Sequence, residues 1–191
     1  MHRLVLKNLL ENYAPFDVNE ELNLQRTLAF VREHSDCFER TCLPGHVTGS
    51  AWLLNRDGTH VLLTHHRKLN MWLQLGGHCD GQADVLDVSI REAQEESGIH
   101  NIEPVMNNIF DVDIHLIPER PGEAAHYHYD INFLLRVKDN SSFAVSEESH
   151  DLKWFAWDET LFPFSGPSMK RMFHKWGKKF ELNKKRANLV P

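Results

Sequence analysis

The chain has 191 residues, 41% hydrophobic and 25% charged, which is the balance of a globular α/β-sized domain and not of a disordered segment. A formal charge of −6 argues against nucleic acid or an anionic membrane as partner, and no apolar run is long enough to span a bilayer. Cys37, Cys42 and Cys79 are too few and too scattered for a disulfide framework, so a reducing, cytoplasmic setting without a signal peptide is expected.

The charge is unevenly placed. From Ser168 onward eight basic residues accompany one acidic residue, while residues 1–167 hold 13 basic and 26 acidic residues and carry −13. Histidines number 13, more than half the count of Lys and Arg.

In chain order, Val18, Leu22, Leu24, Leu28 and Val31 recur at helical spacing, with Asp17 or Asn19 as N-cap and Glu20 and Glu21 in the first turn. A shorter helix is expected over 36–40, and Pro44-Gly45 closes the region. Residues 47–54 and 60–64 read as a β-hairpin around Arg56-Asp57-Gly58. Gly76-Gly77 precedes a helix over 84–97 that Gly98 stops, with Leu86, Ile90 and Ala93 as its packing side. Strands are expected over 105–117 and 127–137, broken at 118–122, and again near 153–157. A final helix over about 167–182 carries Met172, Phe173, Trp176 and Phe180 on an apolar stripe. The organisation expected is a helical N-terminal extension, 1–44, followed by one mixed α/β domain, 45–185.

Chemistry concentrates on the helix over 84–97. Glu92, Glu95 and Glu96 lie within an arc of about 100°, and like charges so placed weaken a helix by a few tenths of a kcal/mol per pair, as a rough guide. A hard divalent cation would relieve that repulsion. Ahead of the helix, Gly76-Gly77 permits close backbone approach and leaves carbonyls or amides facing the same cleft.

Here the sequence resembles the Nudix hydrolase family. Its motif runs Gly, five residues, Glu, seven residues, Arg-Glu, an apolar residue, any residue, Glu-Glu, any residue, Gly and an apolar residue. This chain supplies Gly77, Arg91-Glu92-Ala93, Glu95-Glu96, Gly98 and Ile99 in register, with Ala83 in place of the first Glu. The wider resemblance runs from Val47 to Trp157, and Gly76-Gly77-His78 looks like a subgroup whose motif opens with Gly-Gly-His. The resemblance implies an α/β/α sandwich with a mixed sheet and a loop-helix-loop motif. It also implies hydrolysis of a diphosphate bond in a nucleoside diphosphate-X or similar small molecule, with Mg2+ or Mn2+ as cofactor. By position, Glu92, Glu95 and Glu96 match metal-binding and general-base carboxylates, the Gly76 carbonyl a backbone metal ligand, and Arg91 an arginine that orients the glutamates. A further loop glutamate is expected from Glu147 or Glu148. Ala83 removes one carboxylate, for which Asp80, Asp84 or Asp87 would compensate, although Asp87 is also spaced to pair with Arg91.

Two other readings compete. An isopentenyl-diphosphate-isomerase-like enzyme would need a cysteine where Gly76 stands, and a catalytically weakened binding or regulatory module is suggested by Ala83 alone. Outside the motif, His126 and His128 alternate on a strand and share a face with Asp130, as a substrate-facing or second metal pair. His78, Arg67 and Lys68 are candidates to meet the phosphates. Cys79 as a thiolate lacks identifiable partners, and zinc at Cys37 and Cys42 lacks a second ligand pair. Trp52, Trp72, Trp154 and Trp157 are expected in the core, and the basic C-terminal helix is expected to dock on the acidic body. The N-terminal segment would cover the active site or form a homodimer interface.

Overall fold

The computed structural model describes residues 2–122, 124–139, 142–145 and 149–187, the stretch 180–187 by its backbone alone. Its frame is strand β1, Gly45–Leu54, buried along its whole length because neighbours pair on both sides and layers cover both faces. β1 pairs in parallel with β6, His126–Val137, over ten residues from Gly45↔Tyr127 to Leu54↔Arg136. The remaining neighbours are antiparallel: β2, His60–His66, and β4, Leu75–His78, on β1, and β5, Ile102–Ile117, on β6. β3, Met71–Leu73, and β7, Ser149–Ala156, flank β2. The result is a seven-stranded mixed sheet.

Alternation along β1 assigns its side chains to two layers. Val47, Ala51 and Leu53 join Ile131 and Phe133 of β6 in a core closed by helix α2, Val18–Glu33, and helix α3, Val85–Ser97. Helix α1, Leu4–Glu11, which the sequence does not announce, adds Leu6 and Leu10 to that core. On the opposite face Trp52, Leu54 and Leu134 pack with Met169, Met172, Phe173 and Trp176 of helix α4, Pro167–Ala187. The α/β/α layering expected from the sequence is therefore present, and the basic helix docks by its apolar stripe; Phe180 lies outside the described side chains. No helix is long and apolar enough, among the described residues, to cross a membrane.

Two local expectations are corrected. Residues 36–40 form turns, closed by Glu39 N–H to Asp36 and Cys42 N–H to Glu39, and not a helix. On α3 the buried side is Val85, Val88, Ser89, Ala93 and Ser97, with Leu86 and Ile90 only partly covered. The serines tolerate burial because their hydroxyls donate to the carbonyls of Val85 and Ala93, four residues back.

The two chain ends are tied to β5 by a buried ionic cluster. Arg171 of α4 donates from Nε and a terminal amine to both oxygens of Asp111, at 2.8 and 2.7 Å. Lys175 reaches Asp111 at 2.6 Å and Glu20 at 2.5 Å, and Tyr13 donates to Glu20 at 2.6 Å. Burial works against ionising Glu20, but hydrogen bonds from Lys175 and Tyr13 outweigh it and hold the carboxyl below the usual range. Burial raises Asp111 to about 6 despite Arg171 and Lys175. Such a cluster is costly to break from one side. Arg171→Met, which takes the two-pronged partner from buried Asp111, is expected to lower unfolding free energy by about 3–5 kcal/mol in urea denaturation. Arg136→Met, which breaks only the exposed pair with Glu103, is expected to cost less than ~1 kcal/mol. Equal losses would contradict this assignment.

Candidate active site

Helix α3 is built to hold its carboxylates still. The Asp84 side chain caps it by accepting the Asp87 N–H, and Gly98, left-handed at φ 69°, ends it with its N–H on the Gln94 carbonyl. The helix lies so close to the sheet that a Cβ on Gly49 would come 3.0 Å from the Val85 carbonyl oxygen. At β4 the approach is closer still. The Glu92 carboxylate rests on Gly77, where a Cβ would stand 2.5 Å from its carboxyl carbon, and the Gly76 N–H donates to Glu96 at 2.7 Å.

Arg91 binds the ensemble together. Its guanidinium contacts Glu92 at 2.7 Å and Glu95 at 3.5 Å, and donates to the His78 carbonyl at 3.0 Å. Glu92 is mostly buried and Glu95 faces solvent. Three carboxylates beside a glycine backbone are a hard, all-oxygen donor set, and at Gly77 the Glu92 carboxylate occupies the space a Cβ would fill. These residues fit Mg2+ or Mn2+ by donor chemistry. The aspartates expected to replace the missing motif carboxylate have other partners: Asp80 pairs with Arg40 at 2.5 Å, and Asp84 is the cap. Ala83 itself packs against the core.

Beside this site His46, Thr48 and Ser50 of β1 form a polar stripe. Asp130 is buried and its carboxylate accepts from Thr48 and Ser50 at 2.8 and 2.7 Å, from Asn132 at 2.9 Å and from Gln74 at 3.2 Å. Further along the same strands His46, His78 and His128 converge, with ring centroids 4.7–5.0 Å apart. His126 joins them, its Nε2 3.3 Å from that of His128, and His115 of β5 meets His128 edge-on. Burial, then the neighbouring imidazoles, push His46 down to about 4 and His128 down to about 2, so both rings are neutral.

Of the residues expected from the sequence, the structure thus brings together Gly76, His78, Arg91, Glu92, Glu95 and Glu96, and places His126 and His128 next to His78. Arg67 and Lys68 are exposed in the β2–β3 turn, where Arg67 donates to the Ser149 carbonyl at the β7 edge. Glu147 and Glu148 lie outside the described residues. Cys79 is buried and desolvation raises its thiol, the opposite of a nucleophile's environment. Cys42 lies near His34 and Asp36, and not in a pair with Cys37. Trp52 is fully buried, whereas Trp157 is partly exposed. Sequence reasoning missed His46, His115 and the donors to Asp130; the signal for them is the β1–β6 register, which no local pattern reveals.

Residues 45–176 match the NUDIX domain family. In fold the chain is similar to an Ap4A hydrolase of C. elegans, at 15% identity and TM-score 0.57, covering 71% of this chain and 97% of that one. It is also similar to a MutT NUDIX hydrolase of Burkholderia pseudomallei, at 24% identity and TM-score 0.51, covering 68% and 95%. A third neighbour is the E. coli dihydroneopterin triphosphate pyrophosphohydrolase, at 15% identity and TM-score 0.52, covering 68% and 92%. No curated protein sequence matches the chain.

The Gly77–Glu92 contact yields a test. A methyl at residue 77 meets only the far end of a flexible side chain, so it costs little stability but displaces the carboxylate. Gly77→Ala is expected to keep its thermal midpoint within a few degrees while diphosphate hydrolysis falls at least ~10²-fold, the scale of a misplaced catalytic group. Unchanged turnover would contradict the role given to the contact.

Proposed function

The chain belongs to the NUDIX family of pyrophosphohydrolases, and we propose that it cleaves a diphosphate bond in a nucleoside diphosphate-X or similar small molecule with Mg2+ or Mn2+. The observation that carries this reading is the seating of Glu92 on Gly77 and of Glu96 on the Gly76 N–H, which fixes two carboxylates of the motif against one strand.

Glu92, Glu95, Glu96 and the Gly76 carbonyl would hold the cation, which when bound neutralises diphosphate charge and lowers the pKa of water. Glu92 is the general base: its carboxylate accepts the proton of a water whose oxygen bonds to phosphorus as the bridging P–O bond breaks. Arg91, 2.7 Å from Glu92, orients that carboxylate. Glu96, bonded to the Gly76 N–H, holds the β4 backbone in register with the helix. His78 follows the glycines, and the Gly-Gly-His opening supports assigning the chain to that subgroup; its side chain would border the phosphates. Arg67 and Lys68 are assigned to the outer part of the substrate, and Glu148 to the loop carboxylate. The partner is a small molecule, with neither nucleic acid nor membrane. Residues 1–44 are taken as an extension to a catalytic unit spanning 45–185.

The test is release of phosphate or nucleotide from ADP-ribose, coenzyme A, dinucleoside polyphosphates and oxidised nucleotides, with Mg2+ and Mn2+ in turn. Turnover of at least one of them is expected, dependent on the cation. Glu92→Gln is expected to lower it by roughly 10²–10⁴-fold. A folded chain that cleaves none, or a Glu92→Gln variant as fast as the parent, would overturn the reading.

A further inference from the structure

We propose that His46, His78 and His128 form a second metal site, for a borderline divalent cation of the Zn2+ class, separate from the carboxylates of α3. The ligating atoms of these three residues lie within 4.8 Å of one another. They come from three strands, β1, β4 and β6, whose pairing fixes them: His46 sits opposite His128 in the parallel register, and His78 opposite Thr48 in the antiparallel one. Nothing in one strand alone would create the cluster.

Two observations point to a ligand. His46 is 2% exposed, and neither of its ring nitrogens has a hydrogen-bond partner among the described residues. A buried imidazole with both nitrogens idle is costly, and an ion facing one of them gives that lone pair its partner. The second observation is spacing. In a tetrahedral site with Zn–N bonds of about 2.0–2.1 Å, ligand nitrogens stand about 3.3–3.4 Å apart. The ligating atoms of His46, His78 and His128, all within 4.8 Å of one another, need to close by little more than 1 Å to reach that spacing. His126 stands at the edge of the cluster, its Nε2 hydrogen-bonded to that of His128 at 3.3 Å and its Nδ1 facing the Ala124 carbonyl at 2.9 Å.

The chemistry of the donors selects the ion. Neutral imidazoles suit Zn2+, Cu2+, Ni2+ or Co2+, whereas Mg2+ and Mn2+ favour the oxygen set on α3. Asp113 and Asp130 stand opposite each other in the β5–β6 register, two residues along from His115 and His128, and add negative charge to the same stretch of sheet. The site does not depend on the hydrolytic reading, since a histidine-bound ion needs none of the glutamates.

The experiment strips the full-length chain with a chelator, then titrates it with Co2+ and Zn2+. One equivalent of Co2+ is expected to bind with the intense visible absorption of four-coordinate cobalt. Zn2+ should displace it and excess Mg2+ should not. A Glu92→Gln/Glu95→Gln variant is expected to keep the absorption unchanged. His78→Ala, at a half-buried position, is expected to weaken Co2+ binding at least ~10-fold. His46→Asn is expected to lose the band, with circular dichroism and cooperative unfolding confirming that each variant folds. If His46→Asn does not fold, His78→Ala decides alone. Substoichiometric binding by the parent chain would overturn the proposal. So would a band that survives His78→Ala but disappears with the two glutamates, since this would place the metal on α3.

Discussion

The closeness of α3 to β4 is the constraint on which the site depends. A helix normally stands off a sheet by the length of its side chains. Here Gly49 and Gly77 clear the sheet surface beneath α3, so carboxylates reach the β4 backbone instead of side chains. Glu92 and Glu96 thereby lose most of their freedom before any ligand arrives, and Arg91 closes the arrangement by joining the helix to the His78 carbonyl. Preorganisation of this kind is what a charged site needs, because groups already fixed require no reordering when charge develops.

The sheet contributes through its register. One face of β1 is apolar along its length and packs α2 and α3, whereas the other divides into an apolar half under α4 and a polar half. The polar half holds Asp130 with four donors, and then the histidines. Buried polar groups are tolerated where each has partners. Asp130 meets that condition within the protein, and an ion bound at His46 would supply a partner to one of its two ring nitrogens. The uneven charge noted at the start also acquires a structural meaning: α4, the basic element, is anchored by Arg171 and Lys175 to acidic residues of β5 and α2.

The helix of the site was legible in the sequence because its cap, its stop and its glutamates all obey local rules of spacing, and Gly76-Gly77 marked the strand it meets. The layering was legible for the same reason, through strand alternation and the stripe of α4. What was not legible is long-range. Glu20, Asp111, Arg171 and Lys175 read singly as solvated charges, yet they meet in the interior across some 150 residues of chain. His46 and His128 become neighbours only through a parallel pairing with an intervening crossover. The burial of Ser89 and Ser97 on α3 was hidden because their polarity is satisfied by their own helix. β3 and β4 are too short for period-two patterning to register.

The proposed reaction is water attack at phosphorus, directed by carboxylates of α3 that would hold a divalent cation to neutralise the diphosphate charge. Hydrolysis of a cleaved diphosphate in ¹⁸O-labelled water tests it most directly. One labelled oxygen is expected in a single phosphoryl product, formed only when Mg2+ or Mn2+ is present. Release of product without label, or at the same rate without any divalent cation, would contradict it.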